Sequence, residues 1–345
     1  MRLPWTSHPE SEPSPPPPPV VPSLGNGIAV PITTDMCRDL LESLRTPQPP
    51  AAEQEIYVDW TGVRTRVTML PWAPHELRGQ TVTDLPIPDD GYRSEDVEYA
   101  ALAQALATAE GTFRIVEVGA GWAPWVVQGI VVARRRGLAA YGIAVEADVR
   151  RSEWAMQHAA DNDIVAELIT GSPAEIAEAL ARPRGDVEMH VVRAAGWHTS
   201  TMLQFPDIDE VDMGAAVWTL PGTDVDYRGA HLSHHDVPAV SIAALLADDV
   251  LTDLLHVDVQ GVEFELLEPA SDDIQRSVRL MMVGTTNRLV EGQLQQHFLS
   301  RGWGLLVDAP CTAVFTMTHP TLSGFTVQDG NQLWENPFVR EWPSA

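Results

Sequence analysis

The chain has 345 residues, of which 44% are hydrophobic, and a formal net charge of −26 at pH 7. A chain of this length and composition can bury a large core in one or two domains. The negative charge excludes a general affinity for nucleic acid or anionic membranes, because such binding depends on Lys and Arg side chains. We therefore expect a small-molecule partner.

The sequence contains no lysine. This excludes Schiff-base chemistry, the lysine of a P-loop and a lysine general base, so Asp, Glu or His must move any protons. The two cysteines, Cys37 and Cys311, match no metal spacing and suit a reducing cytoplasm. No apolar run reaches the ~18 residues that span a bilayer, and no secretion signal is visible. A cytoplasmic protein without membrane insertion is expected.

Three segments follow one another along the chain. Residues 1–30 contain the run SEPSPPPPPVVP and are predicted to be a disordered tail. Residues 31–110 are predicted to form an N-terminal cap. It combines a helix capped near Thr33, a hairpin that turns at Gly62 and a second helix that begins at Ser94.

Residues 111–345 alternate between strand and helix patterns and are predicted to form the main domain. Strands that are apolar on both faces indicate a doubly wound, mostly parallel α/β sheet covered by helices. In such sheets ligands bind beyond the carboxyl ends of the strands. The predicted strands are RIVEV (114–118), AYGIAVE (140–146), IVAELI (164–169), EMHVV (188–192), LLHVDV (254–259) and VRLMMVGT (278–285), with GWGLLVD and TAVFTM as closing strands.

The first strand ends in VEVGAGWAPW. Gly119 and Gly121, with Ala120 between them, can bring the backbone close to a ligand at the start of the next helix. A side chain at position 119 is expected to point at that ligand. A dinucleotide fingerprint would need a third glycine, but Pro124 stands there. Glu117, two residues before the first glycine, fits an S-adenosylmethionine site, where its carboxylate would attract the ligand's ammonium group. The alternative is an ordinary strand-to-helix turn with a surface-facing glutamate.

Two further strand ends carry candidate cofactor contacts. Glu146, followed by Ala147, ends the second strand, where a carboxylate can accept both hydroxyls of a ribose. The alternative is a solvated acid at a helix start. Gly171 and Ser172 follow the predicted third strand and could lie along an adenine, or could simply begin a helix.

The segment LLHVDVQGVEFELL places His256 and Asp258 on one face of a buried strand. Asp258 lies nearer the strand end and is the stronger candidate to orient or deprotonate an attacking hydroxyl. The alternative is a buried carboxylate that accepts from helix amides beyond Gly261. His256 lies one pleat deeper, either as a neutral core histidine or as a residue that supports Asp258.

Metal binding is considered at two places. The run HLSHHD offers His231, His234, His235 and Asp236, but its spacing matches no known ligand set and a polar loop is the expected interpretation. Asp258 and Asn287 could hold Mg²⁺, although the predicted fifth strand ends in Thr-Thr-Asn rather than in acids. No metal site is predicted.

VEVGAGWAPW, GIAVEAD, LLHVDVQGVE, VGTTNRLVEGQLQQHFLSRGW and VQDGNQLWENP together resemble the FkbM-type methyltransferases over roughly residues 55–340. The resemblance implies a class I, Rossmann-like fold with a seven-stranded sheet. It also implies S-adenosylmethionine as cofactor and methylation of a hydroxyl on a sugar or secondary metabolite.

Glu263, Arg288 and Glu291 flank the predicted pocket and are candidate substrate contacts, or else a helix-start acid and a solvated arginine. The family resemblance also implies a second glycine where this chain has Val262 and a histidine where it has Thr286. These departures leave open a catalytically silent methyltransferase-like binding protein. A nicotinamide-dependent oxidoreductase is the other alternative, although Pro124 and the absence of lysine disfavour it.

Overall fold

A computed structural model describes residues 32–217, 231–248, 250–315 and 322–339. The predicted tail, residues 1–30, lies outside the described residues. The strands in chain order are β1 (Ile56–Val58), β2 (Arg64–Arg66), β3 (Thr112–Val118), β4 (Ala139–Glu146), β5 (Ala166–Ile169), β6 (Met189–Arg193), β7 (Ala195–Gly196), β8 (Met202–Pro206), β9 (His234–Val240), β10 (Thr252–Val257), β11 (Val278–Thr285), β12 (Gly304–Ala309), β13 (Thr312–Ala313), β14 (Thr326–Gln328) and β15 (Gly330–Glu335).

The helices connect these strands and cover the sheet. In chain order they are α1 (Thr34–Ser43), α2 (Asp96–Thr108), α3 (Pro124–Arg135), α4 (Val149–Asp161), α5 (Pro173–Leu180), α6 (Ile242–Leu245), α7 (Glu263–Leu267), α8 (Ser271–Ser277), α9 (Arg288–Ser300) and α10 (Leu322–Phe325). Within the described ranges, no helix is long and apolar enough to cross a bilayer.

The central sheet has the order β12-β15-β11-β10-β3-β4-β6-β5. Strand β15 is antiparallel to both of its neighbours, and the other pairs are parallel. This confirms the predicted doubly wound α/β fold. The LLHVDV strand, β10, lies beside the first strand of the sheet in sequence, β3.

The sheet has eight strands instead of the expected seven. The extra strand is β5, which pairs only with β6 and forms the edge of the sheet. Its four residues are mostly part-exposed, whereas β6 is buried along most of its length. A short, half-exposed strand suits an edge and a buried one suits the interior. The third strand in sequence is therefore not the neighbour of β4.

Two apolar layers enclose the sheet, and neighbouring residues of each central strand serve opposite layers. In β3, Ile115 packs with helices α2 and α3, while Val116 packs with α7, α8 and α9. Period-two alternation therefore continues through a sheet that is buried on both faces.

The predicted N-terminal helices and hairpin are present. Thr33 caps α1 by accepting from the Met36 amide, and β1 pairs with β2 around Gly62. Helix α2 contacts β10, β11 and β15, so it lies directly on the sheet. Ser94 does not cap α2, because Glu95 occupies that position and makes no side-chain cap bond. The predicted boundaries at residues 30 and 110 stay a prediction.

The carboxyl-terminal strands differ from the prediction. The antiparallel strand inside the sheet is β15, from GNQLWE, rather than TAVFTM. Among residues 312–315, the described part of the latter, Thr312 and Ala313 form a strand, in a separate two-stranded sheet with β14. The HLSHHD run is also not wholly a loop, since β9 begins at His234 and pairs with β7 and β8.

Candidate active site

A cavity of about 450 Å³ opens at the carboxyl ends of the central strands. This is the size and place expected of a small-molecule site in a doubly wound sheet. Residues from the ends of β3, β4, β6 and β10 line it. Among the predicted site residues, Gly119, Gly121, Glu146, Ala147 and Asp258 lie in its wall.

Gly119 and Gly121 play different parts in the turn after β3. Both have positive φ, +80° and +55°. A Cβ atom at Gly119 would lie 1.8 Å from the backbone oxygen of Asp258, so the tight contact is with protein and not with a ligand. At Gly121 it would meet only the Met213 side chain, at 3.3 Å. The expectation that a side chain at 119 points at the ligand is wrong, and position 121 is the open one.

Glu146 stabilises the same turn from the end of β4. Its Oε2 accepts from the Gly121 amide and its Oε1 from the Asp148 amide, both at 2.7 Å. Burial raises the pKa of its carboxyl to about 7. Each carboxylate oxygen can accept more than one hydrogen bond, so Glu146 could hold this turn and also accept from ligand hydroxyls.

Asp258 follows the last residue of β10 and borders the cavity. Its amide donates to the Val118 carbonyl at 2.9 Å, which continues the parallel pairing with β3. Its Oδ1 accepts from the Gln260 side-chain amide at 2.6 Å. Burial raises the pKa of its carboxyl to about 6, while the charge on His256 opposes that shift. An acid that ionises near neutrality is suited to accept a proton.

His256 lies behind the cavity, on the sheet face that α2 covers. Its Nε2 donates to Glu98 of α2 at 2.8 Å, and the Trp125 ring is 5.8 Å away. Burial works against a charged ring here, but the bond and the negative charge of Glu98 raise the pKa of His256 above its usual value. His256 is therefore a hydrogen-bonded partner of Glu98, in surroundings that favour its protonated form. This pair was not predicted from the sequence, because Glu98 and His256 are 158 residues apart.

Glu117 lies beside His256 in the pairing of β3 with β10. Its Oε2 accepts from the Val126 amide at 3.0 Å, in the first turn of α3. The residue is 2% exposed and is not part of the cavity wall. Burial raises the pKa of its carboxyl to about 8. In this structure Glu117 therefore stabilises a helix start from behind the site. Ala120, its companion in the predicted set, is also buried outside the wall.

Gly171 and Ser172 follow the edge strand β5 and do not border the cavity. Ser172 caps α5 in a capping box with Glu175. The turn after β6, residues 194–196, lies in the cavity wall instead. The predicted strand EMHVV pointed to this turn, but the order of strands in the sheet was needed to choose it.

The predicted substrate contacts also lie outside the cavity wall. Glu263 is buried and accepts from the Gly261 amide at 2.8 Å, and burial raises its pKa to about 8. Glu291 accepts from the Cys311 amide and from the Thr285 hydroxyl. Arg288 is exposed and lies 3.5 Å from Glu291. All three have roles within the protein.

Val262 and Thr286, where the family resemblance implies a glycine and a histidine, lie near the Gln-Gly turn. Val262 precedes α7 and packs against the apolar cluster that contains Ala147 and Ala195. Thr286 is buried, and its Oγ1 has no hydrogen-bond partner among the described residues.

The cavity also has an aromatic wall that was not predicted, formed by Trp72, Tyr92 and Trp122. The Trp72 indole donates to the Tyr92 carbonyl at 3.1 Å, and the rings of Tyr92 and Trp122 stack with centroids 6.4 Å apart. Arg93 lies against the Trp122 ring and pairs with buried Asp59 at 3.3 Å. The N-terminal segment thus provides one side of the site.

Two further charged residues border the cavity, Arg151 and Asp329. Arg151 donates to the Asp212 carbonyl, so one of its N–H groups is used within the protein. Asp329 precedes β15, and its charge contributes to the raised pKa of Asp258. No group of three or more His, Cys, Asp or Glu side chains is arranged to hold a metal ion within the residues that the structure describes.

The sheet order and the position of the cavity define a Rossmann-like α/β protein with a cavity at the strand ends. Residues 131–301 match the model of the methyltransferase FkbM domain. A protein named "Putative methyltransferase" from Jannaschia sp. (strain CCS1) is 28% identical over 289 residues, which cover 83% of this chain and 94% of that protein. Residues 131–301 therefore form a domain of the FkbM methyltransferase family.

Solved methyltransferase structures are similar at low identity. Methyltransferase FkbM from Methylobacillus flagellatus KT is 10% identical, with 69% of this chain and 54% of that chain covered and a TM-score of 0.33. The C-terminal domain of precorrin-6Y C5,15-methyltransferase from Rhodobacter capsulatus is 12% identical, with 78% and 98% covered and a TM-score of 0.35. Similarity at this level carries no information about the substrate.

Proposed function

We propose that this methyltransferase uses S-adenosylmethionine to methylate a hydroxyl group of a sugar or sugar-bearing metabolite. The main support is that Glu146, Gly121 and Asp258 meet in one cavity at the carboxyl ends of adjacent strands. This arrangement combines an acceptor for ribose hydroxyls, an open glycine turn and an acid that can take a proton.

The cavity fits the cofactor in size and chemistry. Its volume of about 450 Å³ lies in the usual range of small-molecule sites. Glu146 would accept from the ribose, and the small residues 194–196 with Phe205 would contact the adenine. When bound, S-adenosylmethionine supplies an electrophilic methyl group.

Asp258 would orient the acceptor hydroxyl and take its proton as the oxygen reacts. With ligands bound, the wall would exclude water and guide the approach of the hydroxyl, and such positioning can provide much of the rate of a simple displacement. The carboxylates of Asp258 and Asp329 accept hydrogen bonds, which favours an acceptor with several hydroxyl donors over an anion. The faces of Trp72 and Tyr92 suit the apolar face of a sugar ring.

Calorimetry with S-adenosylhomocysteine and with NAD tests the cofactor. We expect the former to bind and NAD not to bind, and the reverse result would overturn the proposal in favour of an oxidoreductase. Mass spectrometry then tests the reaction, in a screen of sugars and glycosylated metabolites for the gain of one methyl group. A protein that binds the cofactor but methylates nothing in that screen would support the silent alternative.

A further inference from the structure

The backbone at Gln260 is in a conformation that favours glycine. Its φ is +60°, in the left-handed region, and Gly261 follows at +104°. A residue with a Cβ atom is disfavoured there, and such residues persist where the surrounding fold imposes them, frequently at functional sites. Gln260 also borders the cavity. The turn therefore keeps a side chain at a position where glycine would be easier to accommodate.

That side chain contacts Asp258. The Gln260 Nε2 donates to the Asp258 Oδ1 at 2.6 Å, a short bond of the charge-assisted kind. From the other side, a Cβ atom at Gly284 of β11 would lie only 3.2 Å from the Asp258 Cγ. The main chain of Asp258 is fixed by its bond to Val118 and by the close approach of Gly119. The Asp258 side chain is thus bonded to Gln260 and packed closely against Gly284, on a main chain that is itself fixed.

We infer that Gln260 is a positioning residue, whose side-chain amide orients the Asp258 carboxylate toward the acceptor hydroxyl. The strained backbone of the turn places the amide where it can do so. The role given to Asp258 rests on the proposed function. The contact between the two side chains does not, so it can be tested without an acceptor.

The charges around Asp258 explain why an amide suits this position. His256 on the same strand is the cation that faces it, while Glu98 of α2, Glu263 of α7 and Asp329 before β15 are acids that act on it. An amide supplies a hydrogen-bond donor and adds no charge. A glutamate at position 260 would place another carboxylate against Asp258 and favour its protonated form.

Nuclear magnetic resonance of the full chain, labelled with ¹⁵N in the glutamine side chains, tests the contact. The Gln260 signal is identified by its loss in Gln260→Glu. We expect this signal to move with pH around an apparent pKa of about 6, the value for Asp258, and to stop moving in Asp258→Asn. The side-chain amide of Gln128, which donates to the Thr61 hydroxyl, should stay fixed.

The inference is wrong if the Gln260 signal does not move between about pH 5 and 7.5 in the wild-type protein. It is also wrong if the signal moves equally in a folded Asp258→Asn variant, since another group would then be responsible. Circular dichroism checks folding. Should Asp258→Asn not fold, Asp258→Ser takes its place, because it also removes the carboxylate and keeps the labelled Gln260 amide observable.

A matched pair of glycine variants tests the functional role. Gln260→Gly removes both the strain and the amide. We therefore expect a melting temperature that is either higher than that of the wild type or equal to it within about 2 °C. Turnover on an acceptor from the screen should fall about tenfold with KM within about threefold. Asp163 has a similar φ of +56° but is not part of the cavity wall. Asp163→Gly should relieve similar strain and leave turnover unchanged.

Full turnover in a folded Gln260→Gly variant would overturn the positioning role. Gln260→Glu adds a readout that a purely structural residue would not change, a shift of the pH-rate profile toward higher pH. If the screen finds no acceptor, the proposed function fails, and the resonance titration still decides whether Gln260 holds Asp258.

Discussion

The turn after β3, at the centre of the sheet, and the turn after β5, at its edge, are both glycine-containing turns that lead into a helix. The first lies against Asp258 of β10 and accepts support from Glu146 of β4. The second carries a capping box between Ser172 and Glu175 and borders no cavity. A central strand has neighbours on both sides, so Glu146 at the end of β4 and Asp258 after β10 meet at its end. An edge strand has one neighbour and cannot assemble such a site.

The largest effect is expected at the central turn, from Asp258→Asn. The change removes the proton acceptor but keeps the volume, so turnover should fall by ~10²–10⁴ while cofactor affinity stays within a few fold. Steady-state kinetics and calorimetry measure the two quantities. Equal turnover in wild type and variant would transfer the role to another residue.

Gly119→Ala should damage the fold rather than the binding site alone. The new Cβ atom would overlap the Asp258 carbonyl, so we expect the free energy of unfolding to fall by about 3–5 kcal/mol, or folding to fail. Gly121→Ala is the control, because its φ is also positive but its Cβ atom would meet only a flexible methionine. Urea unfolding compares them, and equal stabilities would contradict the close approach.

The buried acids of the central strands should make stability fall with rising pH. The pKa of Glu117 is raised from 4.5 to about 8, so its contribution to stability is complete below pH 4.5 and is lost as the pH rises through about 8. Glu117→Gln keeps an acceptor for the Val126 amide and removes this loss, which we place at about 2–4 kcal/mol. Urea unfolding at pH 5 to 9 measures it. An identical pH dependence in the variant would exclude a neutral, buried Glu117.

Glu146→Ala should weaken the binding of S-adenosylhomocysteine. Loss of a carboxylate that accepts from two ribose hydroxyls costs ~1.5–3 kcal/mol, or about 10- to 150-fold in Kd. Calorimetry on a variant whose folding has been verified measures the change. An unchanged Kd would remove the ribose assignment and leave Glu146 only its role in the turn.

Ser172→Ala at the edge turn should have the smallest effect. Loss of the capping box lowers the free energy of unfolding by about 1 kcal/mol and leaves cofactor affinity within about twofold. Compared with Glu146→Ala, this variant distinguishes the edge turn from the central turn by its effect on cofactor affinity. A large loss of affinity would mean that the edge turn contacts the ligand after all.

Much of this architecture could be predicted from the sequence, because strand and helix patterns are local. Apolar runs located the central strands, and the acids at the ends of β4 and β10 marked two residues of the cavity wall, Glu146 and Asp258. Sheet order is not local. The sequence places β5 before β6, and only pairing in the folded chain shows which strand lies beside β4.

The remaining features of the site depend on contacts between distant segments. Trp72 and Tyr92 come from a region without strand-end signals, and the pairing of His256 with Glu98 joins residues that have no recognisable motif in common. Glu117 fitted a ligand-binding pattern, yet its carboxylate accepts a hydrogen bond from a helix amide of the protein itself. Sequence patterns identify residue types at strand ends. They do not show whether a side chain points into the cavity or bonds to the protein itself.

The bond between Glu98 and His256 also bears on how the chain folds during synthesis. Helix α2 buries eight consecutive residues, from Tyr99 to Leu106, and much of the surface that covers them comes from strands made far later. His256 leaves the ribosome 158 residues after Glu98. Until then the helix exposes apolar surface, which favours slow folding and aggregation. We expect a nascent chain that stops before residue 252 to need a chaperone.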